Sequence, residues 1–339
     1  MRPAGLATLP LMRSDNPPLV KLYRSDRLES LHRGAWALVD IDGNVIDAAG
    51  DPHQTIYPRS ASKSLQALPL IESGAADHFG FDDRHLALAV ASHSGQPRHV
   101  EVAADGLEKI GLDADALRCG PQRPADSATT AEANRITNNC SGKHVGFLAV
   151  AQHLGQDPAT YLDPAGEAQQ LARAAVQQMT GTPDDALGTG IDGCSAPTFH
   201  LPLSGLATGL ARVTNPDVLT SARAGACRRL TDAARANPDL VAGTHERFCT
   251  DLISATNGRI FGKTGAEGVY TLGVIGQNLG FACKVDDGNA RGYYALIIDL
   301  LVGRGLMSSA EAAALDRWGT TTLLNWDGLD VGHIEICRT

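Results

Sequence analysis

Strand-like segments at both ends of the chain enclose a long helix-like block, and this order constrains the fold most. Residues 19–24 and 35–41 are apolar or alternating, and Asp42-Gly43-Asn44 after them is a hairpin signal. Strand-like sequence returns after about residue 257. The order predicts an α+β fold in which both ends of the chain build one antiparallel sheet around a helical insertion.

We expect the 339 residues to form one enzyme unit with two subdomains. The sheet subdomain is predicted at about residues 18–56 and 257–339, and the helical subdomain at about 60–256. No internal repeat or low-complexity linker divides the chain.

Composition excludes several classes of protein. A net charge of -9 and 5% aromatic residues argue against a nucleic-acid surface. The most apolar run, residues 294–302, is too short to span a bilayer, and residues 1–5 lack the apolar core of a secretory signal. The seven cysteines form no disulfide framework. We therefore expect a cytoplasmic protein with no membrane or nucleic-acid partner.

Ser60 and Lys63 form a Ser-x-x-Lys motif at the start of a predicted helix that runs to about Ser73. One helical turn separates them, so the hydroxyl and the amine share a face. A serine hydroxyl becomes a nucleophile when a neighbouring base takes its proton, and a desolvated neutral lysine can be that base. The alternative is an ordinary N-cap serine followed by a surface lysine.

A Lys-Thr-Gly motif at residues 263–265 falls on a predicted strand of the C-terminal sheet. Together with Ser-x-x-Lys it is typical of serine β-lactamases and penicillin-binding proteins. In that architecture the strand lines the site beside the nucleophile helix, and sheet-edge amides help to hold an oxyanion. The middle motif departs from the pattern, because Ser92-His93-Ser94 stands where Ser-x-Asn is common.

Four longer segments resemble the rhizobial-type L-asparaginases, also called the asparaginase II family. They are RSASKSLQ at 59–66, ASHSG at 91–95, NNCSGKH at 138–144 and GIDGC at 190–194. The resemblance runs from about residue 19 to the C-terminus. It implies a β-lactamase-like or glutaminase-like fold, a homodimer, and hydrolysis of L-asparagine to L-aspartate and ammonia.

The resemblance also implies roles for the catalytic residues. Ser60 would be the nucleophile and Lys63 its immediate base. Ser92 would be the second serine of the site, and Lys263 would complete a Ser-Lys tandem.

Two cysteines in glycine-flanked polar loops raise the question of a metal. Generic zinc chemistry selects Cys140, His144 and Cys194, whereas two buried thiols without metal are the simpler interpretation. The family resemblance implies one zinc per chain, held by Cys140, Lys143 and Cys194 with a water. Lysine ligates only as the neutral amine.

The remaining site residues are assigned to the substrate. Asp192 is a candidate for binding the α-ammonium group of a free amino acid, and Arg59 lies beside a matched motif position. His144 would face the substrate or the surroundings of the metal. The alternatives are a glutaminase, another β-lactamase-like serine amidohydrolase, and a non-catalytic amino-acid-binding protein.

Overall fold

The computed structural model describes residues 16–338. The segment 1–5, which lacks the sequence pattern of a secretory signal, lies outside these residues. The strands are β1 (Pro18–Arg24), β2 (Arg27–Asp40), β3 (Val45–Ala49), β4 (Thr55–Ile56), β5 (Gly188–Ile191), β6 (Pro197–Pro202), β7 (Ile260–Thr264), β8 (Val269–Val274), β9 (Leu279–Val285), β10 (Thr322–Leu324) and β11 (Asp330–Ile336). The α-helices are α1 (Lys63–Gln66), α2 (Leu68–Glu72), α3 (Ala75–His78), α4 (Asp83–Ala89), α5 (Pro97–Lys109), α6 (Ser141–His153), α7 (Glu167–Thr180), α8 (Leu203–Thr214), α9 (Ser221–Ala236), α10 (Pro238–Val241), α11 (Phe248–Ala255), α12 (Tyr294–Gly303), α13 (Ser309–Ala313) and α14 (Asp316–Gly319).

One antiparallel sheet joins the two ends of the chain. Its order is β10-β11-β1-β2-β9-β8-β7, and β3 pairs with β2 beside this path. The N-terminal and C-terminal strands meet at two pairings, β1 with β11 and β2 with β9, and in the second Trp36 lies opposite Cys283. The predicted α+β class, with a sheet built from both ends around a helical insertion, is confirmed.

Helix α8 packs directly on the backbone of the central strands. Gly273 and Gly280 are partners across β8 and β9. A Cβ atom on Gly280 would lie 2.0 Å from the Ala207 carbonyl oxygen, and one on Gly273 would lie 2.5 Å from the Leu210 carbonyl oxygen. Only glycine permits this approach. Since side chains alternate along a strand, Lys263 of β7 lies on the same face of the sheet as these glycines.

The opposite face of the sheet is covered by α12. Leu296, Ile297 and Leu301 of this helix are buried in the apolar core with Trp36 and Phe281. Within the described residues, no helix is both long and apolar enough to cross a membrane.

The helical block differs from the prediction in two places. It contains β5 and β6, which form a small sheet with β4. The predicted helix from Ser60 to about Ser73 is divided into a 3-10 turn (Arg59–Ser62), α1 and α2. Pro69 explains the break before α2, because it has no N–H to donate to Leu65. Ser60 lies inside the 3-10 turn and does not act as an N-cap.

Candidate active site

Ser60 stands on a strained turn between the sheet and the helical block. Arg59 before it has φ +51°, in the left-handed region that side chains rarely adopt. Ser60 is half-buried, and among the described residues its hydroxyl makes no hydrogen bond. Such a turn presents the hydroxyl outward, as a nucleophile requires.

Two buried lysines meet at the hydroxyl of Ser92. Lys263 Nζ donates to Ser92 Oγ at 2.7 Å, and Lys63 Nζ lies 3.2 Å from the same oxygen. Lys63 also donates to the Ala91 carbonyl oxygen. Ser92 follows α4, and its N–H is fixed by the Val241 carbonyl oxygen at 3.0 Å. The structure therefore brings Lys63, Ser92 and Lys263 into one cluster, and Lys63 makes no hydrogen bond to Ser60 among the described contacts.

Burial changes the protonation of Lys263. Removal of its ammonium group from water lowers its pKa to about 7, and the positive charges of Lys63 and Arg247 act in the same direction. A lysine that is partly neutral near pH 7 can accept a proton from a hydroxyl group.

Cys140 connects the lysine cluster to a second group of buried side chains. Its Sγ lies 3.2 Å from Lys63 Nζ, and its thiol interacts with that of Cys194. The Cys194 hydrogen bond lowers the pKa of Cys140 well below its ordinary value, and the charges of Lys63 and Lys143 lower it further. The same hydrogen bond and burial raise the pKa of Cys194. Of the two cysteines, Cys140 is therefore the one whose thiolate form is favoured.

The three predicted zinc ligands lie together. Lys143 Nζ is 3.3 Å from Cys194 Sγ, and Cys194 contacts Cys140. Burial alone would lower the pKa of Lys143, but the charge of the cysteine pair raises it. Within the described residues no cluster of three His, Cys, Asp or Glu side chains could hold a metal ion, so the generic set with His144 is not assembled. Two soft sulfur donors and an amine fit zinc chemically, provided that Lys143 loses its proton.

Arg59 and Asp192 form an ion pair next to these cysteines. Arg59 Nε donates to Asp192 Oδ1 at 2.6 Å, and the Gly193 N–H donates to the same oxygen at 2.7 Å. Burial alone would raise the pKa of Asp192, but Lys143 and Arg59 hold it below its ordinary value. The Asp192 side chain is therefore an ionised carboxylate, held in a fixed orientation beside Cys140 and Cys194.

His144 lies in the interior, apart from the other predicted substrate-binding residues. Its Nδ1 is 2.6 Å from the Tyr161 hydroxyl, and its Nε2 is buried without a partner among the described residues. Burial and the nearby charges of Lys143 and Lys63 lower its pKa well below the ordinary value. It lines neither of the cavities at Ser60, and its role in binding stays a prediction.

Ser60 stands where two cavities meet. The smaller one, about 220 Å³, is lined by Arg59, Asp192, Cys140 and Cys194. The larger one, about 680 Å³, is lined by polar residues that include Ser92.

Two backbone N–H groups are available at Ser60. Ser60 and Ala266 line both cavities, and in the described structure neither of their N–H groups donates a hydrogen bond. Ala266 follows the Lys-Thr-Gly motif, at the edge of the sheet. Paired N–H groups of this kind can stabilise a developing oxyanion.

The family model described as L-asparaginase II matches residues 20–336. The chain belongs to the L-asparaginase II family. This membership confirms the family that the four sequence segments predicted, and it supports an amidohydrolase acting on a small amide. No curated protein matches the chain.

Several solved structures are similar to this L-asparaginase II family member at low sequence identity. A β-lactamase from Mycobacterium bovis is 14% identical, with a TM-score of 0.45, over 81% of this chain and 95% of that one. A putative β-lactamase from Bacteroides dorei is 14% identical, with a TM-score of 0.37, over 74% and 84% of the two chains. The protein titled Mglu is 16% identical, with a TM-score of 0.38, over 82% and 62%.

Arg247 is a residue of this family member's site that the sequence motifs did not identify. Its Nη1 donates to Ser94 Oγ at 2.5 Å and to the Ala242 carbonyl oxygen at 2.9 Å, and its Nη2 donates to the Ser92 carbonyl oxygen at 2.6 Å. Arg247 therefore fixes the loop that carries Ser92. It follows no recognisable motif, and only the tertiary structure places it there.

Proposed function

We propose that the chain hydrolyses L-asparagine to L-aspartate and ammonia, with Ser60 as the nucleophile. The observation that carries the proposal is the position of Ser60. It lies between a small cavity with an ion pair suited to a free amino acid and a cavity that contains Ser92. The Ser92 hydroxyl is hydrogen-bonded to two buried lysines, which are the proposed proton acceptors.

The reaction proceeds in two steps. Ser60 Oγ attacks the side-chain amide carbon, and its proton passes through the Ser92 hydroxyl to a neutral lysine of the pair. The N–H groups of Ser60 and Ala266 stabilise the oxyanion. Ammonia leaves with a proton returned from the same relay, and water then hydrolyses the ester. We assign the relay to Ser92 because it lines the same cavity as Ser60 and its hydroxyl is the one that both lysines contact.

Recognition of the amino acid is assigned to the small cavity. The Asp192 carboxylate accepts hydrogen bonds from the α-ammonium group of the substrate. Arg59 is oriented by its ion pair with Asp192 and binds the α-carboxylate. Zinc is proposed at Cys140, Lys143 and Cys194, where a bound ion would supply a Lewis-acidic centre beside this cavity. The homodimer and the cytoplasmic location stay predictions.

An ammonia-release assay tests the function. The purified protein is expected to release ammonia from L-asparagine, and about ten-fold more slowly from L-glutamine, because the small cavity must accept one more methylene group. A chromogenic β-lactam is expected to stay intact. Faster release from glutamine would make the chain a glutaminase. Asparagine binding without ammonia release would make it a non-catalytic binding protein.

The metal is tested by its content and not by activity. Elemental analysis is expected to find about one zinc per chain, and Cys140→Ala is expected to remove it, because a single remaining thiolate with an amine binds weakly. Cys337→Ala is the matched control, since Cys337 lies on β11's end, away from the site, and should leave the zinc content unchanged. Purified protein without zinc would remove the ion from the proposal.

A further inference from the structure

The large cavity at Ser60 exceeds what the release of ammonia requires. Ammonia needs about the volume of one water, ~30 Å³. The cavity measures about 680 Å³, three times the volume on the amino-acid side of Ser60. It lies where the bond to the amide nitrogen would break, because Ser92 and the lysine relay are on this side. The space therefore suits a leaving amine that carries a substituent.

The lining of this cavity indicates the chemistry of that substituent. Most of its residues are polar or charged, and it has no aromatic face apart from His93 and His245. Two of its charged residues already have partners, because Asp126 is hydrogen-bonded to His245 at 2.9 Å and Arg317 forms an ion pair with Asp251. A polar leaving group fits this wall better than an aryl one does.

Arg247 is the cation of this cavity that lacks an anion. Its bonds go to one hydroxyl and two carbonyl oxygens, all of them neutral, and no carboxylate of the described residues lies within ion-pair distance. Its guanidinium is largely buried, so that the unpaired charge is costly, and burial lowers its pKa. Three bonds leave two of its five N–H groups available. A carboxylate on the ligand could accept hydrogen bonds from these two N–H groups and balance the charge of Arg247.

We propose that the site also hydrolyses β-aspartyl dipeptides, with the carboxylate of the leaving amino acid on Arg247. This inference rests on the proposed function. Ser60 Oγ bonds to the β-carbonyl carbon, the bond from that carbon to the amide nitrogen breaks, and the amine leaves with the proton that the relay took from Ser60. Water then cleaves the ester. One dipeptide and one water give aspartate and a free amino acid.

The test compares two matched compounds on the wild-type protein. β-L-Aspartylglycine carries the carboxylate, and β-L-aspartylglycinamide replaces it with a neutral amide. Chromatography of released aspartate is expected to show cleavage of β-aspartylglycine at least ten-fold faster in kcat/KM than of its amide. Equal kcat/KM values for the two compounds would show that Arg247 does not bind the carboxylate of the leaving group, and this would overturn the proposal.

L-Asparagine is assayed on the same preparation. Ammonia release from asparagine with no cleavage of β-aspartylglycine overturns this inference and leaves the proposed function standing, whereas cleavage of neither compound overturns both.

A variant that fills the cavity provides a second measurement. Ser127 is exposed, lines the large cavity and makes no hydrogen bond in the described structure. Ser127→Trp is expected to lower kcat/KM for β-aspartylglycine at least ten-fold while asparagine hydrolysis stays within two-fold. Thr130→Trp, in the same loop but outside the cavity lining, is the matched control and should change neither. A parallel loss of both activities in Ser127→Trp would contradict separate binding of the leaving group.

Discussion

Ser60→Ala is expected to lower kcat for asparagine hydrolysis by at least about 10³-fold, because no acyl-enzyme can form without the hydroxyl. The fold should be unaffected, since Ser60 is half-buried and its hydroxyl makes no hydrogen bond among the described residues. Ammonia release measures the loss, and thermal unfolding should show a Tm close to that of the wild type.

Ser64→Ala is the matched control for this prediction. Ser64 lies in α1, and its Oγ is buried without a partner in the described structure, so removal of the hydroxyl should change neither activity nor folding. Ser92 is the rival nucleophile, because it is the serine that both lysines contact. Mass spectrometry of the trapped acyl-enzyme separates the two. An acyl group found on Ser92, together with activity retained in Ser60→Ala, would show that Ser60 is not the nucleophile.

The architecture was predictable where local pattern and chain order decide it. The alternation at both ends of the chain was enough to predict one sheet from two distant segments. The pairing of β4, β5 and β6 was not, because β4 has two residues and its partner strand β6 lies about 145 positions away. The division of the first predicted helix at Pro69 was visible in the sequence, since proline removes a hydrogen-bond donor.

The residue types of the site were predictable, and their contacts were not. The four segments and the Lys-Thr-Gly motif together identified Lys63, Lys263, both serines and both cysteines. No motif indicates that Lys63 reaches Cys140, so that the lysine cluster and the proposed zinc ligands form one network. The hydrogen-bond partners of a buried lysine ammonium group depend on which acceptors the tertiary structure places around it. The same reason kept Arg247 out of the sequence-based site, although it fixes the Ser92 loop through three hydrogen bonds.

Lys263→Met is expected to lower kcat/KM by about 10²- to 10⁴-fold, the usual contribution of a general base. Methionine preserves most of the buried volume and removes only the amine. In the wild type, burial lowers the pKa of Lys263 to about 7. The neutral, proton-accepting form therefore grows as pH rises, so kcat/KM should increase through pH 7 and level off above about pH 8. The variant's remaining activity should lack this rise.

Lys284→Met separates this role from the general effect of removing a buried lysine. Lys284 is also buried, on strand β9 of the same sheet, and burial lowers its pKa as well. Its Nζ bonds to the Val285 carbonyl oxygen and not to Ser92. Lys284→Met should therefore keep both the wild-type rate and the rise through pH 7. If Lys263→Met keeps that rise, another group must be the one that titrates, and Lys263 cannot be the proton acceptor.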